Sequence, residues 1–123
     1  MPKPLVIIIE DDDSMRAALV SLVGSYEFTV SEYPSADDFL GSKEVDDASC
    51  IISDIQMPGM DGFDLIAALA TRASRIPIIL ITARLEKVLE RQALENGAFC
   101  FLRKPFDAEL LISQISQALA GRD

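Results

Sequence analysis

Three acids, a hydroxyl and an ammonium stand where apolar runs end, spread over almost the whole chain. Glu10 and Asp11 follow Leu5 to Ile9, Asp54 follows Ile51 to Ser53, Thr82 follows Ile78 to Ile81, and Lys104 follows Phe99 to Arg103. Carboxylates bind divalent cations and can attack phosphorus, while a threonine hydroxyl and a lysine ammonium bind phosphoryl oxygens. In an open parallel sheet the carboxyl ends of the strands line one crevice, so residues this far apart in sequence meet there. The set then suits a divalent metal and a phosphoryl group.

Crowding these groups has an energetic consequence. Two like charges ~4 Å apart repel by about 1 kcal/mol in water and roughly 4 kcal/mol at an effective dielectric near 20. Three carboxylates multiply that penalty, so one keeps its proton or a cation sits among them. Lys104 alone leaves the group net negative, and a bound cation is therefore expected. Hard oxygen donors favour magnesium, which takes few protein oxygens and keeps several waters.

The elements that must position these residues are legible as alternating patterns. Strands are expected at Leu5 to Ile9, Phe28 to Glu32, Cys50 to Ser53, Pro77 to Ile81 and Phe99 to Arg103. Four are unbroken apolar runs, as parallel strands covered on both faces require. Phe28 to Ser31 alternates instead, which fits an edge strand. Between them lie helical stripes: Met15, Leu19, Leu22 and Val23, closed by Gly24; a short helix opened by Ser35 and Asp38 that buries Phe39 and Leu40 and ends at Gly41; Phe63, Ile66, Ala67 and Ala70; Leu85, Val88, Leu89 and Ala93, stopped by Asn96 and Gly97; and Leu111, Ile112, Ile115 and Leu119 after a capping Asp107. Asp12 and Asp13 read as helix-start residues rather than ligands. Right-handed crossovers between five such units give an α/β, doubly wound three-layer sandwich with a five-stranded parallel sheet and five helices.

Bulk properties exclude several classes. With 123 residues the chain forms one domain, 1–123, and the apolar run Leu5 to Ile9 is far too short for a membrane span. No secretory signal precedes it, so a cytoplasmic location without membrane attachment is expected. Eleven basic against 20 acidic residues give a formal charge of −9, which disfavours direct nucleic-acid binding by this domain. Histidine is absent, which removes histidine-based catalysis and means that any phosphohistidine belongs to a partner. Cys50 and Cys100 read as small buried hydrophobes in a reducing compartment. The chain reads either as a complete one-domain protein or as one domain of a longer one.

Four motifs, in order at strand ends, carry a family resemblance. They are Ile9-Glu10-Asp11-Asp12, Ser53-Asp54-Ile55-Gln56-Met57-Pro58-Gly59-Met60-Asp61-Gly62, Ile81-Thr82-Ala83 and Leu102-Arg103-Lys104-Pro105-Phe106. Together they resemble the receiver domain of two-component response regulators, the CheY-like, flavodoxin-like family, over essentially the whole chain. The resemblance implies that Asp54 is the phosphoacceptor and that a sensor histidine kinase or phosphotransfer protein is the donor. It implies that Asp11, Asp54 and the backbone carbonyl of Gln56 ligate magnesium, with Glu10 reaching the metal through water. Thr82 and the Ala83 amide would contact the phosphoryl group, as would Lys104. Phe101 stands at the family's aromatic switch position, partnered with Thr82, and lacks the hydroxyl of the frequent tyrosine. Gln56 and Arg84 match positions that modulate phosphoryl lifetime.

On this reading the chain catalyses only its own phosphorylation and autodephosphorylation. Output is expected through helix four, strand five and helix five, toward an output domain, an effector or a phosphorylation-dependent homodimer. Arg84, Lys87, Arg91 and Arg103 give that face a basic character in an acidic protein. Thr82 and Lys104, polar at strand ends, are expected to matter more to the response than to folding. Rival classes fit less well. A phosphatase of the haloacid dehalogenase kind needs a second acid two residues after its nucleophile, where this chain has Gln56. A flavin carrier needs an open, uncharged phosphate loop after strand one, where this chain has Glu10 to Asp13. A receiver working without phosphate, as a constitutive interaction module, would not need every motif position filled.

Overall fold

The computed structural model describes residues 3–83 and 86–121. Five strands, β1 (Leu5–Ile9), β2 (Thr29–Tyr33), β3 (Cys50–Asp54), β4 (Ile78–Thr82) and β5 (Cys100–Arg103), alternate with helices α1 (Asp13–Gly24), α2 (Ala36–Leu40), α3 (Gly62–Thr71), α4 (Lys87–Glu95) and α5 (Ala108–Ala120). A run apolar at every position is stable as a strand only when both of its faces are covered. Every residue of β3 and β4 is buried accordingly, as is β1 from Val6 on. The sheet is parallel with order β2-β1-β3-β4-β5. The alternating β2 lies at its edge, as its pattern predicts.

Side-chain alternation along each strand divides the core in two. Val6, Ile8, Ile52, Ile79 and Ile81 pack with Leu19 and Val23 of α1 and Leu111 and Ile115 of α5. Ile7, Ile9, Ile51, Ile78 and Leu80 pack with Phe39 of α2, Leu65 and Leu69 of α3 and Ala93 of α4. Cys50 and Cys100 belong to the first layer, and burial pushes the Cys100 thiol up to about 11.

The sequence-based boundaries shift slightly. β2 runs one residue later than expected, Asp54 and Thr82 are the last residues of their strands rather than the first beyond them, and β5 begins at Cys100. A 3-10 turn over Lys43–Asp46, absent from the expected elements, follows α2. Its Glu44 accepts hydrogen bonds from the hydroxyls of Ser31, at 2.7 Å, and Tyr33. In α3 the buried stripe is Leu65, Ile66 and Leu69, whereas Ala67 and Ala70 face solvent. That segment is apolar almost all round, so periodicity did not fix its phase, and the larger leucines take the core. In α4, Leu89 and Ala93 are buried but Val88 is exposed, and Leu85 lies outside the described residues.

Helix starts follow the expected chemistry. Asp12, Ser35 and Asp107 each accept a backbone N–H as N-caps of α1, α2 and α5. Asp61 caps α3 in a reciprocal box with Asp64. Directly after it, Gly62 is the glycine at which an added side chain would meet the nearest neighbours. A Cβ there would lie 2.9 Å from Leu80 Cδ2, 3.0 Å from Ile55 Cα and 3.1 Å from the Asp54 carbonyl oxygen. Two of those neighbours are backbone beside Asp54 and cannot step aside cheaply. Gly62→Ala is expected to lower stability by about 1–3 kcal/mol, the usual range for overpacking. An unchanged urea midpoint would show that the α3 start relaxes freely.

Candidate functional site

Strand register decides which ends meet. Ile9 pairs with Ser53, Asp54 with Ile81, and Thr82 with Arg103. Glu10, Asp54, Thr82 and Lys104 therefore lie along one rim of the sheet. One carboxylate oxygen each from Glu10, Asp11 and Asp54 lies within 4.8 Å of the other two. Lys104 Nζ donates to Glu10 Oε1 and to Asp54 Oδ2, both at 2.8 Å. Its backbone amide donates to the Thr82 carbonyl at 2.7 Å, and its peptide bond to Pro105 is cis.

Local hydrogen bonds set each acid. Asp54 is nearly buried, and its Oδ1 accepts the Gln56 amide at 3.0 Å while Oδ2 takes Lys104. The carboxylate is oriented from both sides and still borders the crevice. Glu10 is only 1% exposed, and its second oxygen accepts the Asp12 amide at 3.2 Å. Asp11 is exposed. Asp12 turns away to accept the Met15 amide at 3.0 Å, which makes it a helix cap, as expected.

Burial is the largest single influence on both Glu10 and Lys104. It raises the Glu10 carboxyl above the ordinary glutamate range, the hydrogen bonds from Lys104 and the Asp12 amide offset this only in part, and the Asp54 charge adds to the rise. For Lys104, burial pulls the ammonium down, but the hydrogen bonds to Asp54 and Glu10 outweigh it and the net shift is upward. A raised folded-state value at Glu10 means stability that is present in acid and lost as pH rises through that value. The Lys104 contribution persists until pH climbs through its own raised value. Near neutrality the cluster thus carries an electrostatic strain at Glu10.

The donor set fits a hard divalent cation. Only oxygens are offered, they lie close together, and three carboxylates face a single ammonium. Magnesium suits such sites because it needs only one or two carboxylates and otherwise keeps water or phosphate oxygens.

The remaining predicted positions are distributed around this cluster. Thr82 is buried at the end of β4, and Ala83 follows it, exposed. Gln56 is exposed on the loop after Asp54. Phe101 is half-buried and pairs with Leu80, so alternation places it on the same sheet face as Thr82. Arg84 lies outside the described residues. The face expected to be basic is mixed: a cleft of about 900 Å³ between α4, β5 and α5 is lined by Glu90 and Asp107 as well as by Lys87, Arg91 and Arg103. Arg103 holds a buried Nε donor without a hydrogen-bond partner there.

Sequence reasoning assigned no role to Arg16. Its guanidinium donates to the Glu10 carbonyl at 2.8 Å, to Asp13 Oδ1 at 2.6 Å and to Glu32 Oε1 at 3.1 Å. The spacing to Asp13 is visible in sequence. The contacts to Glu10 and Glu32 required the fold.

Comparison with known proteins is consistent across sequence and structure. A family model described as the response regulator receiver domain matches residues 6–116. The chain is 36% identical to the C4-dicarboxylate transport transcriptional regulatory protein DctD of Rhizobium meliloti, covering 94% of this chain and 25% of that protein. It is 34% identical to the transcriptional regulatory protein FixJ of Azorhizobium caulinodans, covering 97% of this chain and 57% of that protein. The chain thus spans between a quarter and somewhat over half of these relatives. The solved structure of the response regulator StyR superposes with a TM-score of 0.89 at 35% identity, covering 98% of this chain and 61% of that one. Among the described residues no helix is long and apolar enough to cross a membrane.

Proposed function

The chain belongs to the response regulator receiver domain family of two-component signalling, and from that premise we propose that Asp54 is its phosphoacceptor in a magnesium-dependent reaction. The observation that carries the reading is the Asp54 carboxylate, held by the Gln56 amide and Lys104 Nζ while Glu10 and Asp11 crowd beside it. In such a transfer one Asp54 oxygen forms a bond to phosphorus as the bond to the donor nitrogen of a partner's phosphohistidine, or to the leaving oxygen of a small phosphodonor, breaks. Two anions approach each other in that step, so positioning and charge neutralisation supply most of the catalysis. Lys104 gives a cation at the attacking carboxylate. Glu10, Asp11, Asp54 and the Gln56 carbonyl would hold magnesium, which when bound neutralises phosphoryl oxygens. Thr82 and the Ala83 amide stand at the adjoining strand end, where they would take the remaining oxygens.

The chain acts here as a signalling phosphoacceptor that promotes only its own phosphorylation and dephosphorylation, in the cytoplasm. Its partners are a sensor histidine kinase or phosphotransfer protein and an output domain or effector, as expected for a domain similar to part of two transcriptional regulators. Thr82 and Phe101, on one sheet face, form the element whose rearrangement would carry the charge change toward the cleft between α4, β5 and α5. That cleft, with charges of both signs and exposed Leu94 and Leu110, is the docking or dimerisation surface in this reading.

Incubation with acetyl phosphate tests the assignment. Intact-mass measurement is expected to show one added phosphoryl group when magnesium is present, and little when a chelator removes it. Equal labelling with and without the metal would exclude the magnesium-dependent mechanism.

A further inference from the structure

Four consecutive acids, Glu10 to Asp13, follow β1, and their mutual repulsion opposes any single loop conformation. The structure divides them. Glu10 and Asp11 contribute to the rim cluster, Asp12 caps α1, and Asp13 turns back to Arg16. Arg16 is the cation around which that division is organised. Its side chain is only 15% exposed, and Nε, Nη1 and Nη2 each donate to a different acceptor. Those acceptors sit on three segments: the loop after β1, the first turn of α1, and β2 beside its end.

The contact to the Glu10 carbonyl matters most, because that carbonyl belongs to the peptide joining Glu10 to Asp11. The preceding N–H of Glu10 donates to the Tyr33 carbonyl at 3.1 Å. Both sides of Glu10 are therefore tied to β2, one directly and one through Arg16 and Glu32. Asp11 itself is exposed and departs from this fixed peptide. We infer that Arg16 is a positioning residue for the metal site, holding the Glu10–Asp11 peptide so that the Asp11 carboxylate stays within reach of Glu10 and Asp54. It acts through that peptide and touches neither metal nor phosphoryl group. A rigid, forked guanidinium can span the three acceptors at once, whereas an ammonium is a point charge on a flexible stem.

The inference rests on the metal reading above, and the sign of one measurement separates it from simple electrostatics. If Arg16 mattered only as a positive charge, removing it would make the acidic crevice more negative and tighten magnesium binding. If it positions Asp11, removing it weakens binding despite that gain. Magnesium titration by calorimetry on the full chain, well below each variant's melting temperature, is the test. Arg16→Gln and Arg16→Lys are both expected to weaken binding by about tenfold, the low end for outer-shell partners of metal ligands. Asp11→Asn should weaken it at least as much. The lysine variant keeps the charge and remains informative if the glutamine variant does not fold. Wild-type affinity in Arg16→Lys, or equal or tighter binding in Arg16→Gln, would overturn the positioning role while leaving the metal site intact. Absence of magnesium binding by the wild-type chain would instead overturn the metal reading itself, and this inference with it.

Discussion

Asp54→Asn is expected to abolish phosphoryl uptake from acetyl phosphate, reducing the added mass from one group to none. An amide is a poor nucleophile, and no neighbouring group can activate it as Asp54 is activated by its own charge. The substitution also separates chemistry from folding. It keeps the shape of the side chain, including an oxygen that can accept the Gln56 amide; it removes one of the cluster's three mutually repelling carboxylates and also the Asp54 partner of Lys104, which keeps its pair with Glu10. Relief of repulsion and loss of that pair oppose each other, so the variant should stay folded in the absence of metal. Loss of labelling in a stably folded chain would assign the acceptor. Undiminished labelling of Asp54→Asn would place the phosphoryl group on another residue.

The second large effect concerns Lys104. From its place at a strand end, its removal reads as nearly neutral for folding. Its surroundings reverse that expectation. Lys104 makes two 2.8 Å ion pairs, one to a Glu10 that is 1% exposed, and it is the only ammonium among the described residues paired with the cluster. Breaking a buried pair from one side leaves an uncompensated charge, and Lys104→Ala should cost about 3 kcal/mol in metal-free protein at neutral pH, at the low end for such losses because the site borders solvent.

Two further measurements identify the cause. Glu10→Gln in the Lys104→Ala background should recover most of the loss, since the buried charge is then gone. The deficit should also shrink as pH falls. Glu10 already sits above the ordinary glutamate range, loss of Lys104 moves it higher still, and a raised acid contributes stability present in acid and lost as pH rises through its folded value. Urea denaturation of the single and double variants from mildly acidic to neutral pH would read both effects. A Lys104→Ala deficit independent of pH and of Glu10→Gln would mean that packing of the lysine stem, not charge, is responsible.

Much of this architecture follows from the order of residues alone. Runs such as Val6 to Ile9 and Ile78 to Ile81 have no polar face to offer water, so they had to become strands covered on both sides. Helical stripes between them then imposed a parallel sheet. The acids at Glu10, Asp11 and Asp54, with Thr82 and Lys104, were visible as a set because each ends such a run. Ser35, Asp12 and Asp107 were legible as caps because capping is local chemistry.

What sequence could not decide was whatever depends on phase or on distance through space. The segment from Phe63 to Ala70 is apolar on nearly every side, so only packing into the core layer on that side of the sheet chose Leu65 and Leu69 over Ala67 and Ala70. Register placed Lys104 between Glu10 and Asp54 and buried Glu10, which turned a surface-like lysine into the counterion of a strained cluster. Arg16 looked like one more charge on a helix until the fold carried Glu32 and the Glu10 carbonyl to it. Local patterns determine which segments become strands and helices and what chemistry their ends bear, because those preferences act over a few residues. The charge state and orientation of the site belong to the tertiary structure, because burial and Coulomb interaction depend on separation in space and not along the chain.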